Sequence, residues 1–252
     1  MHRGEAVEDV VIVGAGLAGL ATALGLHRKG VRSLVLESSP ALRTAGFAFT
    51  AWRNAFRALD ALGVGDKIRE QHLQAQALRV MSSSTGEVAQ ELDLTAVQKN
   101  RSGPNEIRCV RRDALLQTLE EELPRGTIRY SSRIVSIEDG GGVRILHLAD
   151  GSTLRAKVLI GCDGINSVVA KWLGLAEPSY SGRMARIEAG LREYARIRRW
   201  RSVELIATAY TVGFIQQSDN AIVRFLRDKF LSGVLAGRLL KMADYDCGAL
   251  SN

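Results

Sequence analysis

The chain has 252 residues, 46% of them hydrophobic and 24% charged, with a formal net charge of +7. Such a balance provides a core for one large domain or two small ones, and it excludes a disordered or collagen-like chain. Cys109, Cys162 and Cys247 lie far apart with no C-x-x-C pair, so neither a zinc site nor a disulfide framework is implied, and each reads as a small buried hydrophobe.

Few residues precede the first apolar run at 10–13, which leaves no room for a signal segment. The longest later apolar stretch, residues 205–215, is too short to span a bilayer, so a cytoplasmic location and no transmembrane segment are expected. The first run meets Gly14-Ala15-Gly16-Leu17-Ala18-Gly19, and an alanine- and leucine-rich helix follows to about Lys29. A second apolar run, residues 31–36, ends on Glu37. Strand, glycine turn, helix, strand and acid, in that order, form the arrangement that binds the ADP half of a dinucleotide.

Each residue type in that arrangement has a task. Gly14 permits the tight turn, Gly16 lacks the Cβ that would keep the backbone from a pyrophosphate, and Gly19 lets the helix lie close to the strand. Free N–H groups of the first helical turn, at the positive end of the helix dipole, face the phosphates. Glu37 stands where an acceptor meets the ribose hydroxyls, and its charge would repel a 2′-phosphate, which makes NADP a poor ligand for this site.

Residues 38–49 read as a loop containing Pro40, Arg43 and Gly46. Residues 52–70 set Phe56, Leu59 and Leu62 at helical spacing, with Gly63 as a stop. Stretches 78–82 and 87–92 read as paired strands, and 112–123 as an amphipathic helix with Leu115, Leu116 and Leu119 on one face. A β-meander is expected from a strand over 128–137 and another over 143–148, followed by a buried strand over 156–160. That strand closes in Gly161-Cys162-Asp163-Gly164, and a helix over 166–173 follows. Residues 183–252 read as a helical segment with Ile222, Phe225, Leu226 and Phe230 in an apolar stripe. The basic run at 196–201 reads as a solvated helix face, with no nucleic-acid partner. The four histidines sit in unrelated contexts and read as surface or helix residues.

With these pieces placed, the chain resembles the FAD-dependent monooxygenases of the para-hydroxybenzoate-hydroxylase type, most of all the plant members related to zeaxanthin epoxidase. The resemblance rests on Gly14–Gly19 with Glu37, on Leu42-Arg43 followed by Gly46, on Arg112-Asp113-Ala114-Leu115, and on Gly161 through Ser167. It implies a Rossmann-like α/β domain over residues 1–182, with a parallel sheet and a meander insertion, and a C-terminal helical part over 183–252. It implies FAD as cofactor, NAD(P)H as electron donor, and O2 and a small organic molecule as substrates. Gly14, Ala15, Gly16, Leu17, Ala18 and Gly19 would hold the pyrophosphate and Glu37 the ribose. Arg43 and Arg112 would meet the flavin from the side, and Asp163-Gly164 would support the pyrophosphate region. No catalytic side chain is assigned, because the chemistry of this family belongs to its cofactor.

Two departures from the family stand out. Ala170 occupies the place where an arginine is usual after the serine of the Asp-Gly motif, and the later Gly-Asp-Ala motif, with the substrate-covering sheet before it, is missing. An internal deletion with its junction near residues 182–187 is therefore expected. Three readings stay in competition: an oxygenase or a shortened form of one, a non-catalytic nucleotide-binding or regulatory product, and an NAD-binding dehydrogenase.

Overall fold

The computed structural model describes residues 7–43, 45–81, 86–94 and 106–175; the expected helical segment 183–252, with Cys247, lies outside them. In chain order the elements are β1 (Val7–Val13), α1 (Leu17–Arg28), β2 (Leu34–Leu36), β3 (Ala48–Trp52), α2 (Arg53–Ala61), α3 (Gly65–Gln71), β4 (Ala77–Met81), β5 (Val88–Asp93), β6 (Ile107–Arg111), α4 (Arg112–Glu121), β7 (Ile128–Arg129), β8 (Ile134–Asp139), β9 (Arg144–Leu148), β10 (Thr153–Gly161) and α5 (Val168–Trp172). They fall into two compact units, whose described parts are residues 7–48 with 111–175, and residues 49–110.

The first unit is built on a six-stranded sheet in the order β7-β2-β1-β10-β9-β8. β7, β2, β1 and β10 are parallel neighbours, and β10, β9 and β8 form an antiparallel meander. β10 serves both halves. Its start, Thr153 to Ala156, pairs with β9, whereas residues 157–161 pair only with β1 among the described residues. Strands buried on both faces need continuous apolar runs, and Val11 and Ile12 in β1 and Val35 in β2 are wholly buried. α1 presents Leu20, Ala23 and Leu24 to the core, and α4 lies beside it with Leu115, Leu116 and Leu119 buried. An ion pair between Arg28 and Glu122 ties these two helices at one end. A further core joins Val11, Val13 and Leu36 to Ile137, Leu146 and Leu148 of the meander and to Val169 of α5. Arg144 stacks over the Trp172 ring at 5.4 Å from its centroid.

In the second unit β4 and β5 make the expected antiparallel hairpin, and β3 pairs with β6. The fully buried Phe56 of α2 carries the guanidinium groups of Arg69 and Arg108 over its ring at 5.0 and 5.7 Å. Both arginines donate to the carboxylate of Glu106. Among the described residues no helix is long and apolar enough to cross a membrane.

The α/β class, the parallel sheet and the meander are as the sequence implies, with local differences. The strand expected over 128–137 is two strands, because Ser131 takes a left-handed backbone (φ 52°) and the chain turns out of the sheet. Ser131 and Ser132 then donate their amides to the carbonyls of Ser39 and Glu37, at 2.9 and 2.8 Å. The strand expected to be buried over 156–160 is covered only in part, with Val158 49% exposed. Cys109 is exposed and Cys162 half-buried, so neither is the buried hydrophobe expected of it. His72, the C-cap of α3, is buried with Nδ1 2.9 Å from the Ile68 carbonyl, whereas His147 lies half-buried in strand β9, neither on the surface nor in a helix as expected.

This packing predicts a contrast. Leu146→Ala, in a fully buried meander position, lowers stability by about 2–5 kcal/mol. Val158→Ala, at its half-exposed site, costs less than about 1 kcal/mol. Midpoints of urea unfolding at unchanged slope measure both.

Candidate functional site

Parallel α/β sheets offer a crevice beyond the carboxyl ends of their strands, and here the ends of β1, β2 and β10 meet at one edge. Gly14 donates its amide to the Leu36 carbonyl at 2.7 Å, and Cys162 donates to Val13 at 2.8 Å, which locks the three ends together. Gly14 has φ +100°, a region that side chains rarely tolerate, and a Cβ there would lie 2.5 Å from the Cys162 carbonyl oxygen. A Cβ on Gly19, buried on α1, would overlap the carbonyl oxygen of Gly14. Two glycines are thus required by the protein's own packing.

Gly16 is different. Its backbone is ordinary (φ −76°, ψ −178°), and a Cβ built on it would meet no atom within 4 Å. Among the described residues no clash demands glycine there. Gly16 is also the N-cap of α1 and provides no capping side chain, and the first turn holds no acid. Glycine at this position costs only about a few tenths of a kcal/mol against a serine cap, but it brings no acceptor, so the first-turn amides and their partial positive charge face outward. Leu17 is half-buried and Ala18 exposed at this end. Helix starts of this kind are a general binding place for anions.

Glu37 is the electrostatic partner of the turn. It is 7% exposed, and its Oε2 accepts the amide of Ala15 at 2.8 Å. Oε1 accepts the Ser39 amide at 2.9 Å and the Ser38 hydroxyl at 3.2 Å. Arg43 brings a guanidinium nitrogen to 3.5 Å from the same oxygen. Burial pushes the carboxyl upward, but the amides of Ala15 and Ser39, with the Arg43 charge, outweigh it and hold the group below its ordinary value. The acid is ionised and aimed at the glycine turn.

Arg43 and Arg112 come together, though through the backbone. Arg43 is mostly exposed and points to Glu37, while Arg112 Nη1 donates to the carbonyls of Arg43 and Ala45, both at 3.1 Å. Asp163 follows β10, but its carboxylate serves α5: Oδ1 accepts the Ser167 hydroxyl at 2.5 Å and Oδ2 the Val168 amide at 2.7 Å. Ser167 in turn caps the Ala170 amide at 2.9 Å. Gly164, just beyond, is exposed with open space around it. The side chain of Asp163 therefore holds a helix start, and only the backbone of this turn borders the site. Ser38, Ser39 and Cys162 complete the site but carry no sequence signal, since their roles rest on an amide, a weak hydroxyl contact and a carbonyl.

A protein-family model described as an FAD binding domain matches residues 8–222. Among known relatives, Monooxygenase 2 of Arabidopsis thaliana is 30% identical over 407 aligned positions, covering 98% of this chain and 99% of the relative. Monooxygenase 1 of the same plant is 42% identical over 168 residues, 66% of this chain and 40% of the relative. Among solved structures, p-nitrophenol 4-monooxygenase PnpA from Pseudomonas putida DLL-E4 superposes with a TM-score of 0.62 at 27% identity, covering 68% of this chain and 45% of that one. The chain thus spans less than half the length of the last two.

The lowered acidity of Glu37 sets a pH signature. A carboxyl held below its ordinary value near 4.5 stabilises the fold above that pH, and the contribution fades as pH falls through the folded-state value. Glu37→Gln removes this contribution. Melting curves from about pH 6 down to about pH 3 show the gap between wild type and variant closing on acidification.

Proposed function

Because the chain belongs to the FAD binding domain family, with the FAD-dependent monooxygenases of the para-hydroxybenzoate-hydroxylase type, we propose that it binds FAD and oxygenates a small organic substrate. NAD(P)H is the electron donor and O2 the co-substrate in this reading. Gly14, Ala15, Gly16, Leu17, Ala18 and Gly19 receive the pyrophosphate, and Glu37 receives the adenosine ribose. Bound FAD supplies the redox chemistry.

The protein's residues do the rest. An ionised carboxylate offers about four acceptor positions, and in Glu37 two are held firmly by the amides of Ala15 and Ser39. The longer Ser38 and Arg43 contacts both fall on Oε1 beside the Ser39 amide, and Oε2 keeps a second position beside the Ala15 amide; ribose hydroxyls take that position and replace the longer contacts at little cost. The same charge keeps a 2′-phosphate out, so any NADPH engages elsewhere. The turn at Cys162, Asp163 and Gly164 borders the pyrophosphate with backbone.

A second reading keeps the binding and drops the turnover. It is favoured by the end-to-end match of this 252-residue chain to a relative over 407 positions, which supports an internal deletion near residues 182–187. On that reading residues 1–182 form the nucleotide-binding part and 183–252 the C-terminal helical part of a shortened, non-catalytic or regulatory product.

The observation that carries the proposal is Gly16, where no clash among the described residues calls for a glycine and a close-lying pyrophosphate would. Gly16→Ala leaves the fold intact with only a small change in melting temperature: Ala fits the backbone and restricts the unfolded chain, which offsets part of what a poorer N-cap costs at the start of α1. It lowers FAD affinity at least about tenfold, a loss of about 1.4 kcal/mol. Flavin fluorescence titration and thermal melts of the purified chain measure both. Equal affinity of variant and wild type would sink the assignment. NAD(P)H-dependent oxygen uptake by the FAD-loaded chain then separates the two readings.

A further inference from the structure

We infer that Arg112 is a positioning residue, which acts on the nucleotide site through the loop before β3 and through Arg43. The consequence for affinity rests on the FAD reading above; the bracing of the loop does not. Arg112 opens α4, and the buried Leu115, Leu116 and Leu119 fix that helix in the first unit. The neighbouring carboxylate, Asp113, is the obvious ionic partner for Arg112. It is engaged instead by Arg111, with Nε at 3.1 Å, and by the Ala114 amide at 2.9 Å.

Arg112 reaches the loop. One guanidinium nitrogen donates to two carbonyls, those of Arg43 and Ala45, each at 3.1 Å. Loop carbonyls outside a ladder need such donors, and a planar, permanently charged group on a rigid helix provides them in a fixed direction. The loop is shaped to receive it. Gly46 takes φ +148°, and a Cβ there would stand 2.9 Å from Arg112 Cδ, so glycine lets the backbone lie on the arginine stem. With its carbonyl held from behind, Arg43 turns its own guanidinium toward Glu37. The Leu-Arg…Gly stretch and the Arg-Asp stretch are two halves of one brace, and its output is the charge placed beside the ribose acceptor.

Contact with the flavin half and bracing at the ribose end make opposite predictions. ADP lacks the flavin, so it reports on the ribose end alone. Kd values for ADP and FAD are measured on the full chain for wild type, Arg112→Ala, Arg112→Lys, Arg43→Ala and the double variant Arg43→Ala/Arg112→Ala. Bracing weakens ADP and FAD by the same factor in Arg112→Ala, roughly tenfold, with partial rescue by lysine. In the Arg43→Ala background the Arg112 substitution then adds little, because the two act in series. A loss confined to FAD, or a double variant whose losses multiply, overturns the inference.

Trypsin cleavage after Arg43, followed by mass spectrometry without nucleotide, tests the brace independently of binding. It rises several-fold in Arg112→Ala and to an intermediate rate in Arg112→Lys, and unchanged cleavage refutes the brace. If Arg112→Ala does not fold, Gly46→Ala gives the same two readouts by pushing the loop off the arginine. A wild-type chain that binds neither nucleotide refutes the FAD reading and the affinity consequence with it, while cleavage still decides the brace.

Discussion

At the turn between β1 and α1, three stretches of backbone lie against one another with no side chain between them. Gly19 rests on the carbonyl of Gly14, and Gly14 rests on the carbonyl of Cys162 at the end of β10. This contact sets the angle at which α1 leaves the sheet, and hence the direction of its amide-rich end. Any added carbon on Gly14 or Gly19 would push the helix outward and take that end away from the crevice. Placement of Leu20, Ala23 and Leu24 over the sheet follows from the same approach, because the helix can bury them only when it lies this close.

The buried acid at the end of β2 depends on that geometry. An ionised carboxylate in the interior is tolerated when hydrogen bonds replace its lost water, and Glu37 has amides from both sides of the turn. Its backbone is held as well: the Glu37 amide donates to Arg129 at 3.0 Å, and its carbonyl accepts Ser132 at 2.8 Å. The kink at Ser131, which divides an otherwise continuous strand, therefore has a purpose near the site. It brings two serine amides across to the exit of β2.

Much of the frame was legible because it rests on local chemistry. The glycine triplet, the alternation of apolar runs with an alanine- and leucine-rich helix, and an acid at the end of the second strand all sit within residues 9–37. Within the described residues, what escaped the sequence depends on long-range partners. Asp163 caps α5 because the chain folds back on it, and an Asp-Gly pair reads equally well as a turn. The family pattern places Arg112 at a flavin, but its direction is set by a loop 67 to 69 residues earlier in the chain. The buried His72 and the exposed Cys109 show the same limit, since burial depends on neighbours that spacing does not reveal.

The one-sided pairing of residues 157–161, among the described residues, bears on what a further strand would find there. A Lys-Val-Leu-Ile-Gly stretch with one row of amides and carbonyls unladdered, among the described residues, is a template for cross-β growth. Its safeguard is Lys157, which reaches Asp9 on the adjacent strand at 2.6 Å and sets a charge at the head of the run. At this margin a charged pair, rather than a backbone ladder among the described residues, is what an approaching strand would meet first.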